Sequence, residues 1–297
     1  MSRTATWRRD TRTVLEMIKI EHTLFALPFA LLGMVLAAEG WPSWGTTFWI
    51  IVAMVGARSA AMAFNRLADR HIDAENPRTA TRALPAGLVS PRWVAGFTVV
   101  SVAVLVLAAW QLNPLALALS PVAILVLLGY SYTKRFTWLS HGVLGLALAG
   151  APLGAWIAVR GDVAATPFAL AGAVLLWVGG FDVLYAIQDR DFDSHRGLHS
   201  IPVRFGVAGA LWISAVQHLG MLFLLGLLPF LYRADTGELL LGLGYWIGWA
   251  GCFLLIAWQH WIVRPRDLSR LDAAFFQANG ALALWFFGAT VVDLLVG

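Results

Sequence analysis

Two acidic clusters hold the residue types and spacings that can do chemistry. The first runs Asn65-Arg66-Leu67-Ala68-Asp69-Arg70-His71-Ile72-Asp73. The second runs Asp182-Val183-Leu184-Tyr185-Ala186-Ile187-Gln188-Asp189-Arg190-Asp191-Phe192-Asp193. Each follows a long apolar stretch, and each spaces carboxylates four residues apart, which stacks them on one helix face. Two carboxylate stripes at the mouth of a membrane bundle are costly without a cation between them. Mg2+ takes one or two carboxylates together with phosphate oxygens, so Mg2+ with a diphosphate is the chemistry this pattern suits.

The stripes extend into the apolar stretches. Arg58, Asn65, Asp69 and Asp73 fall in a narrow sector of one face at about 100° per residue, as do Asp182, Asp189 and Asp193, with Tyr185 close by. Asn65 adds a neutral oxygen ligand. Arg78 and Arg82 follow the first cluster, and Lys134 and Arg135 follow a later apolar stretch. A diphosphate held by metal and basic side chains leaves readily, because its developing charge is already matched. That role is preferred for Arg82 and Lys134, whereas Arg190, Arg196 and the C-terminal arginines read as topogenic. The competing reading of Arg58 and Asp182 is a buried ion pair that fixes helix register. For the Asp69/Asp73 and Asp189/Asp193 pairs it is a solvated helix end. His71 reads as a solvated cap, His195 and His199 as possible diphosphate contacts, and His22 as an acceptor contact. His141, His218 and His260 show no partner pattern, and Cys252 reads as a buried apolar filler.

The elements that must position these residues are membrane helices. The 297 residues are 59% hydrophobic and 13% charged, with mean hydropathy +0.73; soluble domains carry about 25% charged residues. A spanning helix needs about 20 mostly apolar residues. Nine stretches qualify: 22–40, 46–66, 92–112, 114–131, 140–159, 164–188, 207–231, 239–262 and 274–296. Pro28, Pro121, Pro152 and Pro229 lie inside them, and Trp41, Trp44, Trp138 and Trp261 near their ends, as in an interfacial aromatic belt. With the N-terminus inside, eighteen of the 21 Lys and Arg fall on the inner side. Arg160 and Arg233 alone fall outside, and Arg58 lies within the second span. That bias puts the N-terminus and both acidic clusters in the cytoplasm and the C-terminus opposite. The basic start is not read as a signal peptide, since Glu21 and His22 interrupt it. The expected fold is all-α and integral to the membrane: nine helices in a single bundle, two Asp-rich motifs at its cytoplasmic side. One domain covers 1–297, with a cytoplasmic N-terminal segment (1–20) and active-site loops at 66–91 and 189–206. A span running into an acidic cluster occurs twice, about 120 residues apart, which hints at two related halves. The pI near 9.6 reflects loop charge and gives no reason to expect a nucleic-acid partner.

At these residues the chain resembles the UbiA superfamily of intramembrane prenyltransferases. Asn65-x3-Asp69-x3-Asp73 and the following Arg78-Thr79-Ala80-Thr81-Arg82-Ala83-Leu84-Pro85-Ala86-Gly87 are similar to its first Asp-rich motif and loop. Tyr130-Ser131-Tyr132-Thr133-Lys134-Arg135-Phe136-Thr137 resembles its Tyr…Lys-Arg segment. Asp182-x2-Tyr185-x3-Asp189-x3-Asp193, with His199-Ser200-Ile201-Pro202-Val203-Arg204-Phe205-Gly206, resembles its second motif and tail. The resemblance implies Mg2+ held by Asn65, Asp69, Asp73, Asp189 and Asp193, binding the diphosphate of a polyprenyl donor with help from Arg78, Arg82 and Lys134. Ionisation would give an allylic cation that an acceptor ring attacks, with Asp182 or Asp189 as the base, and the prenyl chain open laterally to membrane lipid.

Arg58 is similar to the branch that prenylates hydroxybenzoate or naphthoate rings, where it would pair with the acceptor's carboxylate, and Tyr185 would line the acceptor site. Glu21-His22-Thr23-Leu24-Phe25-Ala26-Leu27-Pro28 looks most like bacterial 4-hydroxybenzoate-type enzymes, some of which serve menaquinone synthesis with a dihydroxy-naphthoate; it departs from the Asp-x-Pro start common in dedicated ubiquinone enzymes. The implied role is ubiquinone or menaquinone biosynthesis at the inner membrane. The competing readings are another acceptor (haem, chlorophyllide or a glycerol ether) and, from a different class, a cation-coupled transporter. A lipid phosphotransferase is disfavoured because its Asp-Gly…Ala-Arg…Gly…Asp signature is absent.

Overall fold

The computed structural model describes residues 23–237, 241–265 and 267–296. His22, Glu21, the basic residues of segment 1–20 and Arg266 lie outside them. Every regular element among the described residues is helical. In chain order these are α1 (Thr23–Ala38), α2 (Trp44–Ala68), α3 (Arg70–Glu75), α4 (Pro91–Leu112), α5 (Pro114–Thr133), α6 (Ser140–Arg160) and α7 (Ala165–Ala186). A 3-10 turn (Ile187–Asp189), α8 (Arg190–Arg196), α9 (Ile201–Thr236), α10 (Leu243–Ile262), a π-helical stretch (Ala273–Ala278) and α11 (Asn279–Val296) complete the chain.

Seven helices among the described residues are long and apolar enough to cross a membrane: Trp44–Ala68, Pro91–Leu112, Pro114–Thr133, Ser140–Arg160, Ala165–Arg196, Ile201–Thr236 and Ala273–Leu295. Two of the nine expected spans fall outside this set. The first is described only from Thr23, as the 16-residue α1. The eighth is α10, which loses hydropathy through Tyr245, Trp246, Trp249, Gln259 and His260. Large apolar side chains such as Val99, Trp110, Leu125, Phe223 and Leu254 are exposed. Such a surface suits lipid rather than water, and the protein is a multi-pass membrane protein.

The chain forms two compact units, residues 48–132 and residues 24–47 with 133–296 among those described. In the first, α2 and α4 approach closely at Gly56, where a Cβ would stand 2.9 Å from the Leu105 backbone nitrogen. The loop between α3 and α4 is anchored by Leu84 and Val89, buried with Ala63 and Val94. Ser90 caps α4 by accepting the Trp93 N–H, and Pro91 occupies the first turn, where a missing N–H costs nothing.

In the second unit, α6 and α7 meet at Gly145, where a Cβ would come within 2.3 Å of the Leu175 carbonyl oxygen. Such small-residue contacts let helix backbones pack where lipid supplies no hydrophobic drive. Two carboxylates close helix N-termini. Asp235 accepts from the Thr166 N–H and hydroxyl, each at 2.7 Å, and Asp293 accepts from the Gly242 and Gly244 N–H groups at 2.5 and 2.7 Å. The π-helical stretch frees carbonyls that side chains then satisfy: Gln259 donates to Ala274 and Asn279 to Phe275, while Asn279 accepts from the Trp177 indole at 2.7 Å. The seventh expected span, 207–231, lies inside the longer α9 because its first turn is set off by a kink at Gly206 (φ 70°, ψ 178°). Only glycine adopts that conformation without strain.

Gly145→Leu is expected to force α6 and α7 apart and to lower unfolding free energy by about 1–3 kcal/mol. A thermal or denaturant unfolding curve of the detergent-solubilised protein checks this; an unchanged midpoint would show that the contact does not carry the packing.

Candidate active site

The first acidic cluster lies in the first unit and is not one unbroken helix. α2 ends at Ala68, Asp69 takes φ −92° and ψ 5°, and α3 restarts at Arg70. The Asp69 N–H still reaches the Asn65 carbonyl at 2.9 Å and the Asp73 N–H reaches the Asp69 carbonyl at 2.8 Å. The four-residue register therefore survives the break. Both carboxylates are buried, Asp69 at 4% and Asp73 at 6% exposure, deep enough that neither can go without a partner. Asn65 Nδ2 donates to Asp69 Oδ2 at 3.2 Å, which leaves the amide oxygen of Asn65 as a ligand atom. Arg82 donates from Nη1 to both oxygens of Asp73, at 2.8 and 2.9 Å, and Arg66 stands 3.9 Å away. The Thr79 hydroxyl donates to the Asp73 carbonyl at 2.9 Å and ties the basic loop to the cluster. Arg78 is exposed in that loop. Arg58 is half-buried on α2 and interacts electrostatically with Tyr130.

The second cluster, in the second unit, repeats the device. α7 ends at Ala186, a 3-10 turn carries Ile187–Asp189, and Asp189 takes φ −98° and ψ 0° before α8 begins at Arg190. Asp69-Arg70-x2-Asp73 and Asp189-Arg190-x2-Asp193 thus share the sequence pattern and the backbone conformation of the first aspartate. The first aspartate of each sits in the sparsely populated bridge region where active-site residues are often found. Asp193 is buried like Asp73, and its carbonyl accepts the Leu198 N–H at 2.8 Å beyond the left-handed Gly197. The segment after it is fastened to Lys134, whose carbonyl accepts the His199 N–H at 2.7 Å. Tyr185 stacks against Phe275 of the π-helical stretch, ring centroids 4.3 Å apart.

Asp182 has a partner that sequence spacing missed. His141, buried at the start of α6, stands 2.7 Å from Asp182 Oδ2 through Nδ1. His218 and His260 are also paired, at 2.8 Å, and His218 contacts the Trp177 carbonyl at 3.3 Å. The absence of a partner pattern for these three histidines is therefore corrected. Each partner lies about forty residues away on another helix, beyond the reach of local spacing. His71 is exposed but is not a cap, since it lies inside α3 and Asp69 holds the N-cap position, and exposed His195 is occupied by the Asp191 carbonyl at 2.6 Å. Cys252 is fully buried. In the loop before the π-helical stretch, the Ser269 hydroxyl and N–H hold the Asp267 carboxyl below its ordinary range.

Among the described residues, no three His, Cys, Asp or Glu side chains gather closely enough to hold a metal alone. The first cluster instead offers two buried carboxylates and an amide oxygen. That donor set fits a hard cation which completes its shell with phosphate oxygens and water.

A profile of the UbiA prenyltransferase family matches residues 26–287. A 4-hydroxybenzoate octaprenyltransferase of Aliivibrio fischeri (strain MJ11) is 31% identical over 288 residues, covering 96% of this chain and 94% of that protein. A 4-hydroxybenzoate octaprenyltransferase of Nitrosospira multiformis is 34% identical over 269 residues, covering 89% and 88%. The apo structure of a UbiA homolog from Aeropyrum pernix K1 matches with TM-score 0.82 at 34% identity, over 93% of this chain and 98% of that one. A UbiA homolog from Archaeoglobus fulgidus bound to DMAPP and Mg2+ shares the fold with TM-score 0.72 at 17% identity, over 96% and 100%.

Arg82→Ala leaves the buried Asp73 with the more distant Arg66 as its ion-pair partner among the described residues. It is expected to cost about 1–3 kcal/mol of stability, less than a fully buried pair because Arg82 is partly exposed. Adding Asp73→Asn is expected to recover most of that loss; equal stability of the Arg82→Ala and wild-type proteins in denaturant would show the pair is not structural.

Proposed function

The chain is a member of the UbiA prenyltransferase family, and from that premise we propose that it transfers a polyprenyl group from a polyprenyl diphosphate to 4-hydroxybenzoate in ubiquinone biosynthesis, with Mg2+. The observation that carries this reading is the repeated Asp-Arg-x2-Asp turn, present twice with the same backbone conformation at its first aspartate. Support for the ring comes from the two relatives described above, whose names specify 4-hydroxybenzoate. Support for the metal comes from the oxygen donors of the clusters, and the Archaeoglobus homolog of the same fold is bound to Mg2+ and DMAPP.

Asn65, Asp69, Asp73, Asp189 and Asp193 would hold the metal. When bound, Mg2+ supplies charge neutralisation that makes the diphosphate a better leaving group. Arg82 spends only Nη1 on Asp73, so its remaining nitrogens serve phosphate oxygens, a role Arg78 and Lys134 would share. Arg58 takes the acceptor carboxylate, a pairing suited to a guanidinium that is partly desolvated, and Tyr185 lines the acceptor site. The bond between the prenyl carbon and the diphosphate oxygen breaks, and the electron pair leaves with the diphosphate. A carbon–carbon bond forms to the ring carbon beside the hydroxyl, and Asp182 takes the proton that carbon releases. The reaction stands at the cytoplasmic edge of the inner membrane, with the N-terminus inside and the C-terminus opposite, a sidedness supported by the loop-charge bias. All nine stretches cross the membrane in this reading.

Membranes containing the protein, given Mg2+, a labelled polyprenyl diphosphate and equal 4-hydroxybenzoate and dihydroxy-naphthoate, are expected to yield lipid-soluble product from 4-hydroxybenzoate, and none after EDTA. Product from the naphthoate alone would move the enzyme to menaquinone synthesis, and product from neither ring would overturn the assignment. Asp69→Ala and Asp189→Ala are each expected to lower turnover at least about a hundredfold, the scale of a lost charge-stabilising group. Near-normal turnover in either variant would sink the metal–diphosphate assignment.

A further inference from the structure

We propose that His141 is the positioning residue for Asp182, a neutral imidazole with its proton fixed on Nδ1 that aims the carboxylate at the acceptor. The proposal rests on the aromatic prenyl-transfer reading above and names a residue that reading does not use.

The leading N–H groups of a helix have no partner within it. Ser200 takes the Val203 N–H, and His141 Nε2 takes the Ile201 N–H at 3.4 Å. A ring nitrogen that accepts carries no proton, so the single proton of a neutral imidazole sits on Nδ1. Nδ1 is the atom 2.7 Å from Asp182 Oδ2, so Nδ1–H donates to the carboxylate. The backbone of α9 thereby sets the tautomer, and the tautomer sets the hydrogen bond to Asp182.

Exposure separates the two partners. The His141 side chain is 5% exposed and that of Asp182 is 24%. A substrate can reach the carboxylate but not the imidazole, so His141 acts through Asp182. Oδ2 is engaged, and among the described residues His141 is the carboxylate's only hydrogen-bonding partner, which leaves Oδ1 to take the ring proton. His141 keeps its own proton throughout and transfers none.

The same side chain joins three elements. His141 opens α6, Asp182 lies in the last turns of α7, and Ile201 opens α9 directly after the segment fastened to Lys134. Removing the imidazole releases the Asp182 rotamer and leaves the Ile201 N–H without its acceptor.

Asparagine and glutamine separate the two bonds, since an Asn amide reaches the Nδ1 position and a Gln amide the Nε2 position. The test measures kcat and KM of purified full-length protein in lipid, with 4-hydroxybenzoate and a polyprenyl diphosphate. His141→Ala and His141→Gln are expected to lower kcat about tenfold to a hundredfold, the scale of a misplaced reacting group, with KM for the diphosphate within about twofold. His141→Asn is expected to stay within about fivefold of wild type, and His141→Ala added to Asp182→Asn is expected to cost nothing further. If Gln restores kcat and Asn does not, or if the two losses multiply, the histidine serves only the fold and the proposal fails. Should His141→Ala not fold, the Asn and Gln pair decides. Nitrogen-15 shifts of His141 in lipid bilayers give a readout apart from activity. A protonated Nδ1 and bare Nε2 are expected, and the opposite tautomer overturns the proposal even if no aromatic ring proves to be a substrate. An enzyme that lacks ring turnover but keeps the expected tautomer would instead overturn the prenyl-transfer reading alone.

Discussion

A carboxylate beside hydrocarbon must be given a donor, and the way this chain meets that demand sorts its acidic residues by purpose. Asp235 and Asp293 are answered by backbone N–H groups at helix starts. Those donors cannot move unless the helix unwinds, so both carboxylates are committed to the fold. Asp73, Asp69 and Asp182 are answered by side chains: the Arg82 guanidinium, the Asn65 amide and the His141 imidazole. Arg82 and Asn65 can turn toward a ligand without cost to secondary structure, whereas His141 is held by the Ile201 N–H at the start of α9. Insertion of a charge at membrane depth costs a few kcal/mol, and each of these donors lowers that cost.

Much of this was legible in the residues, and what was not has a physical reason. Hydropathy and charge bias identified a multi-pass helical protein, because a chain in lipid must satisfy its backbone internally and helices do so locally. In the first cluster the four-residue register of Asn65, Asp69 and Asp73 is a property of the backbone turn and survives the break at Asp69. The break itself was not legible. Nothing in Ala68-Asp69-Arg70 differs from an ordinary helix, and the Thr79 hydroxyl that holds the Asp73 carbonyl comes from the loop beyond α3. His141 was unreadable for a related reason, since it and Asp182 lie on separate helices that only packing brings together. α10 has spanning length but an aromatic and polar content that makes it less apolar than the other long helices.

The two broken turns show what local geometry contributes to chemistry. In each, the aspartate at φ near −95° is followed by Arg, two residues and a buried aspartate whose carbonyl is gripped by the next loop, through Thr79 in one case and Leu198 in the other. An isolated helix end frays, and carboxylates on it would sample many positions. Gripping the carbonyl of the second aspartate turns a helix end into a closed loop, so the four-residue pair is held at both ends. Electrostatic catalysis gains most from groups that are ordered before the charge develops. The repeat of sequence, first-aspartate conformation and tether gives both turns the same local order. A repeated motif that served only as a solvated helix end would have no need of the second aspartate's burial or of the tether on its carbonyl.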